Sequence, residues 1–164
     1  MRTIFAFVIL TIPLLSNGQN KAIKAASIDL QYLRDSVHIE NIVEFYSYYD
    51  LKFNQKPAVR FKVKITNLGS QPIPNLNRVS NRVKFLKLYY NGEDSNDLNL
   101  GNGTEANDWP WFIEPGESEE FSTGYLLEKD AGIFNQAQPM NVTWVYMGIQ
   151  SSTEIVDLVN RKIF

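Results

Sequence analysis

The chain has 164 residues, with 16 basic and 18 acidic side chains, one histidine and no cysteine. A single domain of this size buries roughly two-thirds of its unfolded surface, and without cysteine it has no disulfide, thiolate metal site, cysteine nucleophile or cysteine-borne lipid. A formal net charge of −2 argues against nucleic acid as a partner.

Met1-Arg2 precedes an apolar run from Ile4 to Leu15, followed by Ser16-Asn17-Gly18-Gln19. That is the layout of a secretory signal peptide, with small residues at the two positions a signal peptidase inspects. The alternative, a membrane anchor, needs roughly 20 apolar residues, and this run is shorter and interrupted by Thr11 and Pro13. Residues 1–18 are therefore expected to be cleaved. Residues 19–164 then form one exported domain, periplasmic or secreted, with no membrane span left after cleavage.

The segment "ASIDLQYL" alternates at Ile28, Leu30 and Tyr32, and "IVEFYSYYDLKF" is dense in aromatics; both are expected to be strands. The clearest periodicity follows. Val59, Phe61, Val63 and Ile65 alternate with Arg60, Lys62 and Lys64, giving one apolar and one cationic face, and "NLGSQPIP" ends the run with turn residues. In "VKFLKLYY" the alternation fails at Phe85-Leu86, so either both faces are covered or a bulge shifts the pattern. "NGEDSNDLNLGNGTEAND" reads as a long exposed loop with room for a short edge strand at its centre.

Trp109, Trp111 and Ile113 lie two apart and share a face in an extended chain. In "EPGE", Pro115 presets the second position of a type II turn and Gly116 accepts the positive φ demanded at the third. Phe121, Thr123 and Tyr125 then alternate with polar or small residues. "KDAGIFNQAQPM" is a loop with room for one helical turn. "NVTWVYMGI" reads as a strand with Val142, Trp144 and Tyr146 on one face and Val145, Met147 and Ile149 on the other, and Trp144 belongs to the core. The tail "STEIVDLVNRKIF" suits a helix stripe or a last strand; its β-branched content favours the strand. About seven or eight short strands with frequent turns and no long helix make an all-β Greek-key sandwich.

Catalytic chemistry is narrowed by elimination. His38 is the sole histidine, which excludes histidine-rich zinc sites, and neither G-x-G-x-x-G nor G-K-[ST] occurs. Glu114, Glu117, Glu119 and Glu120 surround the Pro115-Gly116 turn; a solvated corner is the plainer reading, and a small carboxylate-dependent glycan hydrolase is the alternative. Asp94, Asp97, Asn99 and Asp108 are hard oxygen donors, and Asp97, Asn99 and Gly101 loosely echo an EF-hand loop. The glycine such a loop needs is Asn102, however, and its last position is Asp108, so a hydrophilic loop is preferred to a calcium site and no cofactor is expected. Trp109 and Trp111, beside Pro110 and the polar loop, are the candidates for contact with a ligand, although large rings mostly fill cores.

Charge order is lopsided. Every charged residue from Lys52 to Lys87 is basic, and from Glu93 to Asp130 every one but Lys129 is acidic. Arg60, Lys62 and Lys64 therefore either face the acidic residues after the Pro115-Gly116 turn or form an open basic face for an anionic partner, and the internal pairing is preferred.

"FKVKITNLGSQPI", "FLKLYYNG", "IEPGESEEF" and "VTWVYMG" together resemble the successive strands of immunoglobulin-like modules of exported bacterial proteins. The likeness covers about 57–149 and takes in two groups: adhesion-type modules with an Asn-x-Gly turn after the second strand, and a domain family of unknown function with a Pro-Gly turn before a mid-domain strand. It implies an immunoglobulin-like fold and an interaction or structural role without catalytic residues. The sequence thus describes a monomeric, non-catalytic module for a protein or glycan partner in the cell envelope.

Overall fold

The computed structural model describes residues 30–76, 85–95, 112–128 and 132–164. The expected signal peptide lies outside these residues. Helix α1 (Leu30–Ser36) leads into β1 (Val37–Tyr49), β2 (Gln55–Asn67), β3 (Ile73–Pro74), β4 (Leu86–Tyr90), β5 (Glu93–Asp94), β6 (Phe112–Ile113) and β7 (Ser118–Leu126). A 3-10 turn at Gly132–Asn135 precedes β8 (Met140–Tyr146), β9 (Ile149–Asp157) and β10 (Lys162–Ile163). The all-β expectation holds. Strands β3, β5, β6 and β10 are only two residues long, too short for a periodic pattern to reveal.

The strands form antiparallel sheets in the orders β1-β2-β7 and β10-β9-β8-β4-β5, with β3 and β6 paired separately. One apolar cluster spans them. Val59, Phe61, Val63 and Ile65 of β2 are fully buried, as are Leu86 and Leu88 of β4 and Val142, Trp144 and Tyr146 of β8. The Phe61 ring meets Tyr90 of the other sheet at 5.4 Å between centroids, tilted by 57°, and Tyr125 of its own sheet at 6.0 Å. Tilted rings at this spacing set the positive edge of one against the negative face of the other.

Polar side chains fix the register of the layers. Asn41 of β1 donates through Nδ2 to the carbonyls of Val142 and Ser152, at 2.8 and 3.2 Å, bridging to the second sheet where the pairing of β8 with β9 shifts between Thr143 and Val145. At that irregularity the Trp144 N–H donates to Ser151 Oγ instead of a ladder carbonyl. Tyr146 reaches Pro74 O at 2.8 Å, and burial pushes its phenol well above the usual tyrosine range.

Asn67 closes one end of the β1-β2 hairpin. Its Nδ2 donates to the carbonyls of Gln71 and Ile113, both at 2.9 Å, and its Oδ1 accepts from the N–H of Gly69. Its backbone exchanges bonds with the Pro115-Gly116 corner, accepting from Gly116 N and donating to Glu117 O. That corner is the expected turn: Glu117 N donates to Glu114 O, and Gly116 has φ +83°. Gly69 allows α1 to sit directly on the loop after β2. A Cβ there would overlap the Tyr32 hydroxyl and lie 2.6 Å from Ser36 Cβ.

Three expectations need correction. The strand expected through Ile28, Leu30 and Tyr32 is, from Leu30 onward, a helix. Its buried residues Leu33 and Ser36 are three apart, and Gln31 bonds Asp35 one turn on. Tertiary packing selects it: Tyr32 Oη accepts from Gln71 N at 2.7 Å, so the segment serves as a cap over the β2-β3 loop. The faltering pattern of "VKFLKLYY" resolves differently, because Phe85 precedes the strand and Leu86, Leu88 and Tyr90 alternate inward without a bulge. The run through Ile149 is not one strand either. Met147 and Gly148, at φ +49° and +84°, form a two-residue hairpin turn whose twist matches that of the flanking strands.

Candidate functional site

Strand β2 is the middle of its sheet, so its outer side chains meet neighbours on both flanks. The register sets Arg60 opposite Glu44 and Gly124, Lys62 opposite Ile42 and Ser122, and Lys64 opposite Glu40 and Glu120. Lys62 Nζ lies 3.0 Å from Glu44 Oε1 and 3.6 Å from Glu120 Oε2. Arg60 approaches Glu44 at 3.7 Å, and its guanidinium stacks 4.7 Å over the Tyr46 ring. The hydrogen bond that Lys62 donates to Glu44, set against partial burial and aided by the charge of Glu120, raises Lys62 above the usual lysine range. Arg60 and Lys62 thus sit in a mixed-charge face rather than an open basic one, while Lys64 lies opposite Glu40 and Glu120 without an ion pair within 4 Å among the described residues. One of the two carboxylates, Glu44, comes from β1 and lies outside the acidic stretch to which charge order points.

The acidic candidates are dispersed. Asp94 lies on β5 with its carboxylate 2.7 Å from Lys87 Nζ, and this contact raises the lysine. A cation at that carboxylate would have to displace an ammonium. Asp97, Asn99 and Asp108 lie outside the described residues, as do Trp109 and Trp111. Among the described residues no three His, Asp or Glu side chains are grouped to hold a metal. Around the Pro115-Gly116 corner, Glu114, Glu117 and Glu120 are exposed and Glu119 is half-buried. His38 is exposed on β1, opposite Thr66.

Two apolar surfaces went unnoticed in the sequence. The first is the tip of the β1-β2 hairpin, where Leu51 is 100% and Phe53 86% exposed, backed by the exposed Tyr48 and Tyr49. The tip is tightly ordered. Asp50 Oδ1 accepts from the N–H groups of Lys52 and Asn54 at 2.8 and 2.9 Å, its Oδ2 accepts from Asn54 Nδ2, and its carbonyl accepts from Phe53 N. These bonds, the backbone N–H of Asn54 first among them, hold the Asp50 carboxyl below the usual aspartate range. Phe53 itself has φ +59°, a conformation that bulky residues rarely adopt. The available signal was the pair Asp50 and Asn54 inside an apolar run, which marks a turn where density of aromatics had suggested only strand.

The second surface is the β9-β10 hairpin. Phe164 N donates to Ile155 O at 3.0 Å, and Ile155, Val159, Ile163 and Phe164 are all exposed. Asp157 ties the intervening turn through Asn160, and those bonds hold its carboxyl low. Comparison with protein-family models, curated proteins and solved structures finds no match to this chain.

Proposed function

We propose that the chain is an exported, non-catalytic interaction module with an immunoglobulin-like Greek-key arrangement, which binds a protein or glycan partner in the cell envelope. One observation carries this reading: four large apolar side chains, Ile155, Val159, Ile163 and Phe164, are exposed along the β9-β10 hairpin. Apolar groups that the core does not use, gathered on one hairpin, are the usual mark of a contact surface. The immunoglobulin-like part rests on the interlock of the Asn67-x-Gly69 turn with the Pro115-Gly116 corner and on the core shared by the two larger sheets.

The test is capture from envelope fractions together with a glycan array, using wild type, Val159→Asn with Phe164→Ser, and Trp109→Ala with Trp111→Ala. Capture of a protein lost in the hairpin variant supports the reading, as does glycan binding lost in the tryptophan variant. Sugar release from a glycan substrate that disappears in Glu117→Gln or Glu119→Gln would replace the module with the hydrolase alternative. Amino-terminal sequencing of the exported product checks cleavage before Gln19.

A further inference from the structure

The β1-β2 hairpin outreaches its sheet. The last β2-β7 pair is Ala58 with Leu126, whereas β1 and β2 stay paired through Ser47 with Pro57, Tyr48 with Lys56, and Tyr49 with Gln55. At about 3.3 Å per residue the ribbon runs roughly 10 Å past that pair before the turn begins, with Leu127 bonded to Pro57 and Glu128 to Lys56 along its base. What it carries there is ordered by depth: Leu51 and Phe53 at the end, then one phenol on each face from Tyr48 and Tyr49.

The charges around the tip are disposed of with one exception. Asp50 is consumed by the three N–H donors of Lys52 and Asn54, and Lys56 is held 2.6 Å from Glu128. Lys52 is exposed, and its ammonium has no carboxylate within ion-pair distance among the described residues. The turn is also kept in a costly backbone conformation at Phe53, the residue it presents. Strain of this kind persists only where the surroundings enforce it, and it concentrates at sites of function.

We infer that the tip, residues Tyr48 to Phe53, inserts into the interfacial layer of a phospholipid bilayer, with Leu51 and Phe53 among the upper acyl chains, Tyr48 and Tyr49 at headgroup level and Lys52 against an anionic phosphate. Three features select lipid over a protein pocket. The tip is convex, and a bilayer accepts a convex apolar wedge without a matching cavity. The sequence of apolar end and phenolic belt repeats the layering of the interface itself. The Lys52 ammonium complements headgroup phosphate, its methylene stem lying along the apolar layer while the charge stays wet.

Because the chain has no cysteine, Leu51→Cys gives a unique attachment point for a polarity-sensitive fluorophore, and Ser122→Cys on the exposed side of β7 gives a control. The exported product, beginning at Gln19, is mixed with vesicles of phosphatidylethanolamine and phosphatidylglycerol, or of phosphatidylcholine alone, while flotation of unlabelled protein measures binding directly. Emission from position 51 should shift to the blue and that from position 122 should not. Leu51→Asn and Phe53→Asn should each lower partitioning at least about tenfold, and Lys52→Gln should lower it about fivefold on the anionic vesicles and less on the neutral ones. Asparagine tolerates the left-handed conformation at 53 better than phenylalanine, so a melting temperature no lower than that of the wild type shows that these variants remain folded. No flotation and no shift at position 51 would overturn the inference, and so would binding that survives the Leu51→Asn, Phe53→Asn pair. A cross-linker at 51 that captures a protein, with vesicles ignored, assigns the tip to a protein pocket instead.

Discussion

The two ends of the β1-β2 hairpin use the same strands for opposite purposes. At the Asn67 end, polar atoms join four segments: Asn67 reaches Gln71, Ile113 and Gly69, and its backbone interlocks with Gly116 and Glu117. At the Phe53 end, the polar atoms join the turn to itself among the described residues, and the apolar atoms touch solvent. The contrast separates residues that define the domain from residues that the domain presents. Buried polar networks raise the cost of any change because their members have no water to fall back on, whereas the exposed tip can change with little effect on folding.

The largest expected effect calibrates the first end against the core it closes. Phe61→Ala removes a fully buried ring that touches both Tyr90 and Tyr125 and should destabilise by about 3–5 kcal/mol in a denaturant titration. Asn67→Ala strands the buried Ile113 carbonyl and removes a partner from the part-buried Gln71 carbonyl and Gly69 N–H, and should cost about 1–3 kcal/mol; a loss below about 1 kcal/mol would show that the closed end is less integrated than its hydrogen bonds suggest. Gly69→Ala forces α1 off the loop and should cost about 1–3 kcal/mol, accompanied by faster amide exchange in Leu33–Ser36. If exchange there is unchanged, the helix is not held by that contact.

At the tip the sign reverses. Phe53→Asn should stabilise by roughly 0.5–1 kcal/mol by relieving the left-handed backbone, and a loss of stability would mean that Phe53 packs on something and is not merely presented. The smallest effect is local and pH-dependent. The folded Asp50 carboxyl titrates below its unfolded value of about 3.9, so its contribution is full above that value and is lost as pH falls through the lower folded one. Amide exchange of Lys52 and Asn54 should accelerate across that window while the strands stay protected. Simultaneous loss of both would make the tip and the body one cooperative unit.

What was legible in the sequence follows the range of the interactions involved. Strand β2 announced itself because a half-buried strand writes its two faces into alternate residues, and the Pro115-Gly116 corner because only glycine readily supplies the φ it needs. The hairpin at Asn91-Gly92, with φ +51° and +83°, carried an equally strong local signal that was absorbed into the reading of a long loop. Helix α1 was misread because seven residues show scarcely two turns of periodicity, and what decides its state is Gly69, more than thirty positions away. The cationic face was visible, but half of its partners were not, since pairing Lys62 with Glu44 depends on a strand register that charge order along the chain does not encode. The exposed tip was hidden for a related reason: Tyr48, Leu51 and Phe53 have the composition of core residues, and only geometry shows that they face outward.

The central position of β2 has a kinetic consequence. Its pairing with β1 closes across the few residues of one turn, on the microsecond scale of isolated hairpins, whereas pairing with β7 must wait until the chain between Asn67 and Ser118 has been looped back. In that interval β2 offers a bare edge bearing Val59, Phe61, Val63 and Ile65, the kind of segment that recruits a second unfinished chain. Arg60, Lys62 and Lys64 interrupt it at every other position, so two such edges aligned side by side would bring like charges together. The same cations that later face Glu44 and Glu120 therefore act, before β7 arrives, as gatekeepers against misassembly.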